Sequence, residues 1–151
     1  MEAETFDQLI QRAIDKEIEA RDFYREAARR VTDRAVAEIF EEMSQQEEYH
    51  REKLEVFRFD PTARIQFQRV EDFSVAEETD DVPLSFEMLP KDAFQLAAKR
   101  EQAAMEMYLK WASVCENAEV KRVYEELAEM ERGHKARLEE LFVNAAFPEA
   151  W

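Results

Sequence analysis

The chain has 151 residues and a net charge of −15, with one glycine, four prolines and one cysteine. Charge of that sign disfavours nucleic acid and anionic membrane as partners. The lone Cys115 excludes an internal disulfide or a cysteine-held metal site within the chain.

So little turn chemistry argues for one all-α domain, large enough to build its own core. No uncharged run approaches the ~18 residues needed to span a bilayer. No signal peptide precedes the first helical pattern, so a soluble cytoplasmic protein is expected.

Four helices are predicted. The first runs from about Phe6 to Val31, with Thr5 and Gln8 as a capping box. The second runs from about Arg34 to Phe57, capped by Thr32 or Asp33 and ended by Asp60-Pro61. The third runs from Pro90 to about Glu116, since proline suits a first helical turn. The fourth follows Asn117 as N-cap and runs from Ala118 to about Phe142. Each is about 24 residues, or about 36 Å.

Short loops make two antiparallel hairpins, helices 1–2 and 3–4. Residues 58–89 form a long crossover between them. Its apolar residues, among them Phe59, Ile65, Phe67, Phe73 and Leu84, are expected to pack on the bundle, with a short helix around Glu71–Glu78. The apolar tail at Phe147 and Trp151 should pack on the bundle or on a partner subunit. Long connections also permit exchange of helices between protomers, and a homodimer is expected.

Each helix carries one apolar stripe in alternating steps of four and three. Helix 1 gives Ile10, Ala13, Glu17, Ala20, Tyr24 and Ala27; helix 2 gives Phe40, Met43, Glu47, His50, Leu54 and Phe57. Helix 3 gives Ala97, Glu101, Ala104, Tyr108, Trp111 and Cys115; helix 4 gives Tyr124, Leu127, Glu131, His134, Leu138 and Leu141. Near its middle every stripe turns to Glu, or to Glu and His.

The polar positions form a repeat. Glu17 precedes Glu47-x-x-His50 by thirty residues, Glu101 precedes Glu131-x-x-His134 by thirty, and the two sets are 84 apart. Four carboxylates in one core would carry four negative charges, and burying even one unpaired carboxylate is prohibitive. No Lys or Arg lies on the stripes, whereas two divalent cations balance the four Glu. Residues three apart share one side of a helical turn, so Glu-x-x-His can offer a bridging carboxylate beside a capping imidazole. Four carboxylates with two imidazoles suit iron and manganese and accept zinc.

At these residues the chain resembles the rubrerythrin-like branch of the ferritin-like superfamily. The resemblance rests on Glu17-x-x-Ala20-x-x-x-Tyr24, Glu47-x-x-His50, Glu101-x-x-Ala104-x-x-x-Tyr108 and Glu131-x-x-His134, and covers nearly the whole chain. It implies a ferritin-like four-helix bundle with two Fe ions that reacts with hydrogen peroxide or oxygen. Glu17 and Glu101 would be terminal ligands, Glu47 and Glu131 bridges, and His50 and His134 the nitrogen ligands.

Two departures stand out. Rubrerythrins proper carry another Glu one turn after the helix-3 ligand, where this chain has Ala104. They also carry a four-cysteine rubredoxin-like domain that this sequence does not contain, so electrons are expected from a separate donor protein.

Other residues read more plainly. Tyr24 and Tyr108 lie two turns after the lone Glu residues and could hydrogen-bond a ligand carboxylate or act as core tyrosines. Cys115 reads as a buried small hydrophobe. Glu48, Glu106 and Glu129 read as surface charge. Gly133, inside helix 4, could permit a close approach or be neutral. A peroxide- or oxygen-reducing di-iron oxidoreductase is the leading expectation. A ferroxidase or iron-handling protein, or a bundle stabilised by metal without turnover, are the alternatives.

Overall fold

The computed structural model describes residues 5–60, 84, 85 and 87–146. These form four helices: α1 (Phe6–Arg30), α2 (Arg34–Phe59), α3 (Pro90–Val114) and α4 (Ala118–Ala146). No described residue lies in a strand. No helix among the described residues is long and apolar enough to cross a membrane.

Local chemistry sets the ends. The Gln8 N–H donates to Thr5 Oγ1 at 3.2 Å while the Thr5 N–H donates to Gln8 Oε1 at 2.9 Å, a reciprocal capping box. Asp33, not Thr32, caps α2 by accepting the Val36 N–H at 3.1 Å. Asn117 Oδ1 accepts from the Glu119 and Val120 N–H groups at 3.0 and 3.1 Å. Four ends differ from the sequence expectation. α1 stops at Arg30, because Val31 is already extended (φ −71°, ψ 144°). α2 reaches Phe59, because Pro61 restrains Asp60 and not the residues before it. α3 stops at Val114, because Cys115 is already extended (φ −82°, ψ 126°) on the way to the Asn117 cap. α4 continues to Ala146, since no breaker precedes Pro148.

The core has two storeys. One joins Ile10 and Ile14 of α1, Leu54 and Phe57 of α2, Tyr108 of α3 and Val120, Tyr124 and Leu127 of α4. The other joins Tyr24 and Ala27, Val36 and Phe40, Ala93 and Ala97, and Leu138. The beginnings of α1 and α4 thus share a storey with the ends of α2 and α3. Helices α2 and α3 therefore run the same way. Backbones approach closely throughout each hairpin. Between hairpins close approach is confined to a few places, α2 against α3 and α1 against α4.

Two sequence readings need correction. Phe59 is 83% exposed, and Leu84 is also exposed, so neither packs on the bundle. Phe59 lies two residues after the buried Phe57, which turns it to the opposite side of α2. Conversely, Lys135 and Glu139 are fully buried and paired, Nζ to Oε1 at 3.3 Å. Four residues apart on α4, they form an i,i+4 pair whose burial nothing in the pattern signalled. Gly133, beside them, is buried as well. The expected helix at 71–78, the remaining crossover residues and the tail at Phe147 and Trp151 lie outside the described residues.

Leu54→Ala, at a fully buried position, should destabilise the protein by about 3 kcal/mol, and Phe59→Ala by less than about 0.5 kcal/mol. Urea unfolding of the two variants checks this. Equal losses would mean that Phe59 is covered in solution.

Candidate metal centre

The two storeys are separated by a polar layer. Glu17, Glu47, His50, Glu101 and Glu131 are all buried. One ligand atom from each of Glu47, His50, Glu131 and His134 lies within 4.8 Å of the others. His50 Nδ1 is 3.1 Å from Glu131 Oε1, 3.4 Å from Glu17 Oε2 and 3.7 Å from Glu47 Oε2. Both hairpins therefore converge on this imidazole. The His50 and His134 rings stack at 4.7 Å with 7° between planes. Glu101 does not join this tight group, but it lines the same cavity as Glu17, Glu47 and Glu131.

Such a layer must limit its charge. Burial alone would push Glu17 up, yet the neighbouring Glu47 carboxyl, the His50 charge and the Tyr108 hydroxyl bring it down to about 2. Burial and the charges of Glu131 and Glu17 push Glu47 well above the usual carboxylate range. Burial and the Glu17 charge lift Glu131 to about 7, although His50 opposes this. Burial disfavours a charged His50, but Glu17 and Glu131 overcome that and raise it to about 10. Burial and the charged His50 lower His134 to about 3. Without a cation, the layer holds a proton on His50 at neutral pH, and burial beside like charges favours protonation of Glu47 and Glu131.

The donor set fits a metal. Glu47 Oε1, Glu101 Oε1, Glu131 Oε2 and His134 Nδ1 are buried without a hydrogen-bond partner among the described residues, while His50 Nδ1 and Glu131 Oε1 have only each other, at 3.1 Å, and their close neighbours in the layer. Buried acceptors are seldom left so, because desolvation is uncompensated. Here they converge, and oxygen and imidazole donors of this kind suit iron, manganese or zinc.

The layer opens on a cavity of about 210 Å³ between α1 and α3. Ala20 and Ala104 line it, as do Lys16, Arg100, Tyr24 and Tyr108. The small side chain of Ala104, at the position where rubrerythrins proper carry a further Glu, leaves open the space above the carboxylates. Arg100 lies off the stripes and was not singled out from sequence. Its guanidinium sits 3.6 Å over the Phe23 ring and 5.5 Å from that of Tyr24. A signal was there: Lys16 and Arg100 each immediately precede a lone Glu and are 84 residues apart.

The tyrosines differ from each other. The Tyr108 hydroxyl donates to Glu17 Oε1 at 2.9 Å, across the hairpins. The Tyr24 hydroxyl is buried, makes no such carboxylate contact among the described residues, and has the Arg100 guanidinium as its polar neighbour. Glu48 is more than a surface charge: it accepts from Arg21 and Arg51, each at 2.6 Å, and ties α1 to α2. Arg51 and Arg21 hold its carboxyl down at about 2. Cys115 is only half-buried, with Sγ 3.5 Å from the Asn117 carbonyl oxygen, because it terminates α3.

An all-α bundle of two hairpins, each bringing a Glu and a Glu-x-x-His to one buried layer, defines a ferritin-like carboxylate metal protein. Residues 8–142 match the rubrerythrin family model, and the chain belongs to the rubrerythrin family. A solved structure of a hypothetical protein from Pyrococcus furiosus is similar, with 25% identity and a TM-score of 0.57 over 97% of this chain and 94% of that one. No curated protein sequence matches the chain.

Metal binding should release protons. His50, raised to about 10, is protonated at neutral pH and must deprotonate to act as a ligand; Glu131, raised to about 7, and Glu47, shifted in the same direction, add to the protons released. Affinity for zinc or manganese should therefore rise as the pH rises from 6 towards 9. Titration calorimetry in buffers of different ionisation enthalpy should find more than about one proton released per chain at pH 7. Release of none would mean that the metal-free layer is already deprotonated.

Proposed function

We propose that this protein is a di-iron oxidoreductase that reduces hydrogen peroxide, or oxygen, with electrons from a separate donor protein. The observation that carries the reading is the buried layer of unpartnered Glu and His atoms opening on a cavity of peroxide-compatible size and chemistry. Membership of the rubrerythrin family supports it.

Glu47 and Glu131 would hold two iron ions between them, with His50 and His134 at the sides and Glu17 and Glu101 completing the set. Bound ferrous iron would supply electrons to the O–O bond. The chain's own part is orientation, exclusion and proton supply. Tyr108 fixes Glu17 through its hydroxyl and so holds one carboxylate oxygen in place. Ala20 and Ala104 keep room for a small substrate. The buried Tyr24 hydroxyl faces the same cavity and can donate a hydrogen bond to an oxygen atom there. Lys16 and Arg100 line the cavity beside Glu19 and the Glu residues of the layer, and so offset part of the acidic charge there.

One observation favours an iron-handling role as the second reading. A separate cavity of about 350 Å³ reaches His134 from the α2–α4 side; Glu38, Glu42 and Gln46 line it together with Arg137, which pairs with Glu42 at 2.7 Å. A cation could approach His134 there without passing Arg100. Net charge of −15 would aid its capture.

Two measurements test the first reading. Ferrous-loaded protein mixed with one equivalent of peroxide in a stopped-flow cell should oxidise far faster than free ferrous ion; parity would rule the reading out. Glu47→Gln and Glu131→Gln should each weaken metal binding by more than the ~10–100-fold typical of groups that only support a ligand.

Ala104→Leu should fill the cavity and slow reaction with peroxide by about ten-fold or more at unchanged metal content. If iron-loaded Ala104→Leu reacts as fast as the parent chain, substrate reaches the layer by another path.

A further inference from the structure

The two hairpins carry the same ligands at the same intervals, but their aromatic surroundings differ. A shift of 84 residues maps Tyr24 onto Tyr108, Ala27 onto Trp111 and Phe40 onto Tyr124. Around Tyr24 the neighbouring rings are Phe23 at 5.4 Å and Phe40 at 6.0 Å. Phenylalanine does not yield an electron within the range of biological oxidants. Around Tyr108 the neighbours are Trp111 at 5.6 Å and Tyr124 at 6.2 Å, and these two are 5.6 Å from each other. Tyr108 is hydrogen-bonded to Glu17, whereas Tyr24 has no such partner. Trp111 is half-buried and lines a surface cavity of about 420 Å³ with Arg12, Val114 and Cys115.

We propose that Trp111 and Tyr108 form an electron relay from this surface cavity to the Glu/His layer, with Glu17 holding the phenol proton. The proposal rests on the peroxide-reducing reading, which requires single electrons from an external protein. Tunnelling weakens steeply with distance, so two hops between neighbouring rings outrun one long jump into the bundle. A phenol gives up its electron readily only if its proton has somewhere to go. Glu17 Oε1 is in place for that, while Oε2 of the same carboxylate faces His50.

Tyr124 is the weaker station. Its hydroxyl donates to the Leu9 carbonyl at 2.8 Å, a neutral oxygen that holds a proton far less well than a carboxylate. The Arg12 guanidinium lies 5.1 Å over the Trp111 ring and disfavours positive charge there. Trp111 is therefore a station that is passed through, and Tyr108 is where an oxidising equivalent rests.

The step balances. Tyr108 gives one electron to the iron that the layer would hold once peroxide has oxidised it, as its proton shifts to Glu17. Trp111 gives one electron to Tyr108, the proton returns, and the O–H bond re-forms. The donor protein then gives one electron to Trp111. Each passage moves one electron and leaves the relay unchanged. Two passages match the two electrons that peroxide takes up, with two protons, in becoming water.

The test starts from light, without iron. Val114 is 76% exposed and lines the Trp111 cavity. The full chain with Cys115→Ser and Val114→Cys, free of redox-active metal, is labelled there with a photo-oxidising ruthenium complex. Flash oxidation should give a brief tryptophan radical, then a tyrosyl radical, by transient absorption. Tyr108→Phe should abolish the tyrosyl signal, and Trp111→Phe should slow its appearance at least about ten-fold. Tyr49→Phe, at an exposed position, should leave both signals unchanged. A tyrosyl signal that survives Tyr108→Phe, or that arises as fast without Trp111, overturns the relay. Peroxide oxidation of the iron-loaded parent is measured separately. Its failure would remove the functional reading, and the photochemical result would still decide the relay.

Discussion

Carboxylates taken out of water in the middle of a helical bundle have to be neutralised, and much of this architecture follows from that one demand. The apolar storeys above and below the polar layer are what remove the water. They also make the layer intolerant of net charge, which is why His50 is driven to hold a proton and Glu47 to keep one. The convergence of both hairpins on His50 is part of the same answer, because no single hairpin has enough positive charge to quiet its own Glu residues. Cation binding would displace protons from the same groups.

The bundle was legible because burial acts on a period the sequence displays. Every stripe residue from Ile10 to Leu138 that reads as core on a 3.6-residue period is buried or half-buried in the structure. The layer was legible for a different reason: a polar residue on an apolar stripe is conspicuous once, and decisive when it recurs at the same interval. Caps were readable at Thr5, Asp33 and Asn117 because a short polar side chain there has one dominant use.

What escaped the sequence depended on contacts between helices. Lys135 and Glu139 look like any exposed i,i+4 pair, and only the packing of other chain over that side of α4 makes them interior. Arg100 sits beside the stripe, and its reach into the cavity depends on how its side chain lies along Phe23. The different hydrogen bonding of Tyr24 and Tyr108 could not be read. Both lie seven residues after a lone Glu, and a hydrogen bond across the hairpins is a property of distance.

Backbone contact is dense within each hairpin and sparse between them. Contacts close in sequence form early, so the hairpins can zip independently and dock last. Each carries only half of the Glu and His residues. The complete ligand set therefore comes into being at docking, as the final event of assembly. A nascent or half-folded chain has no complete ligand set. Capture of a metal by all six residues would therefore wait until folding has finished.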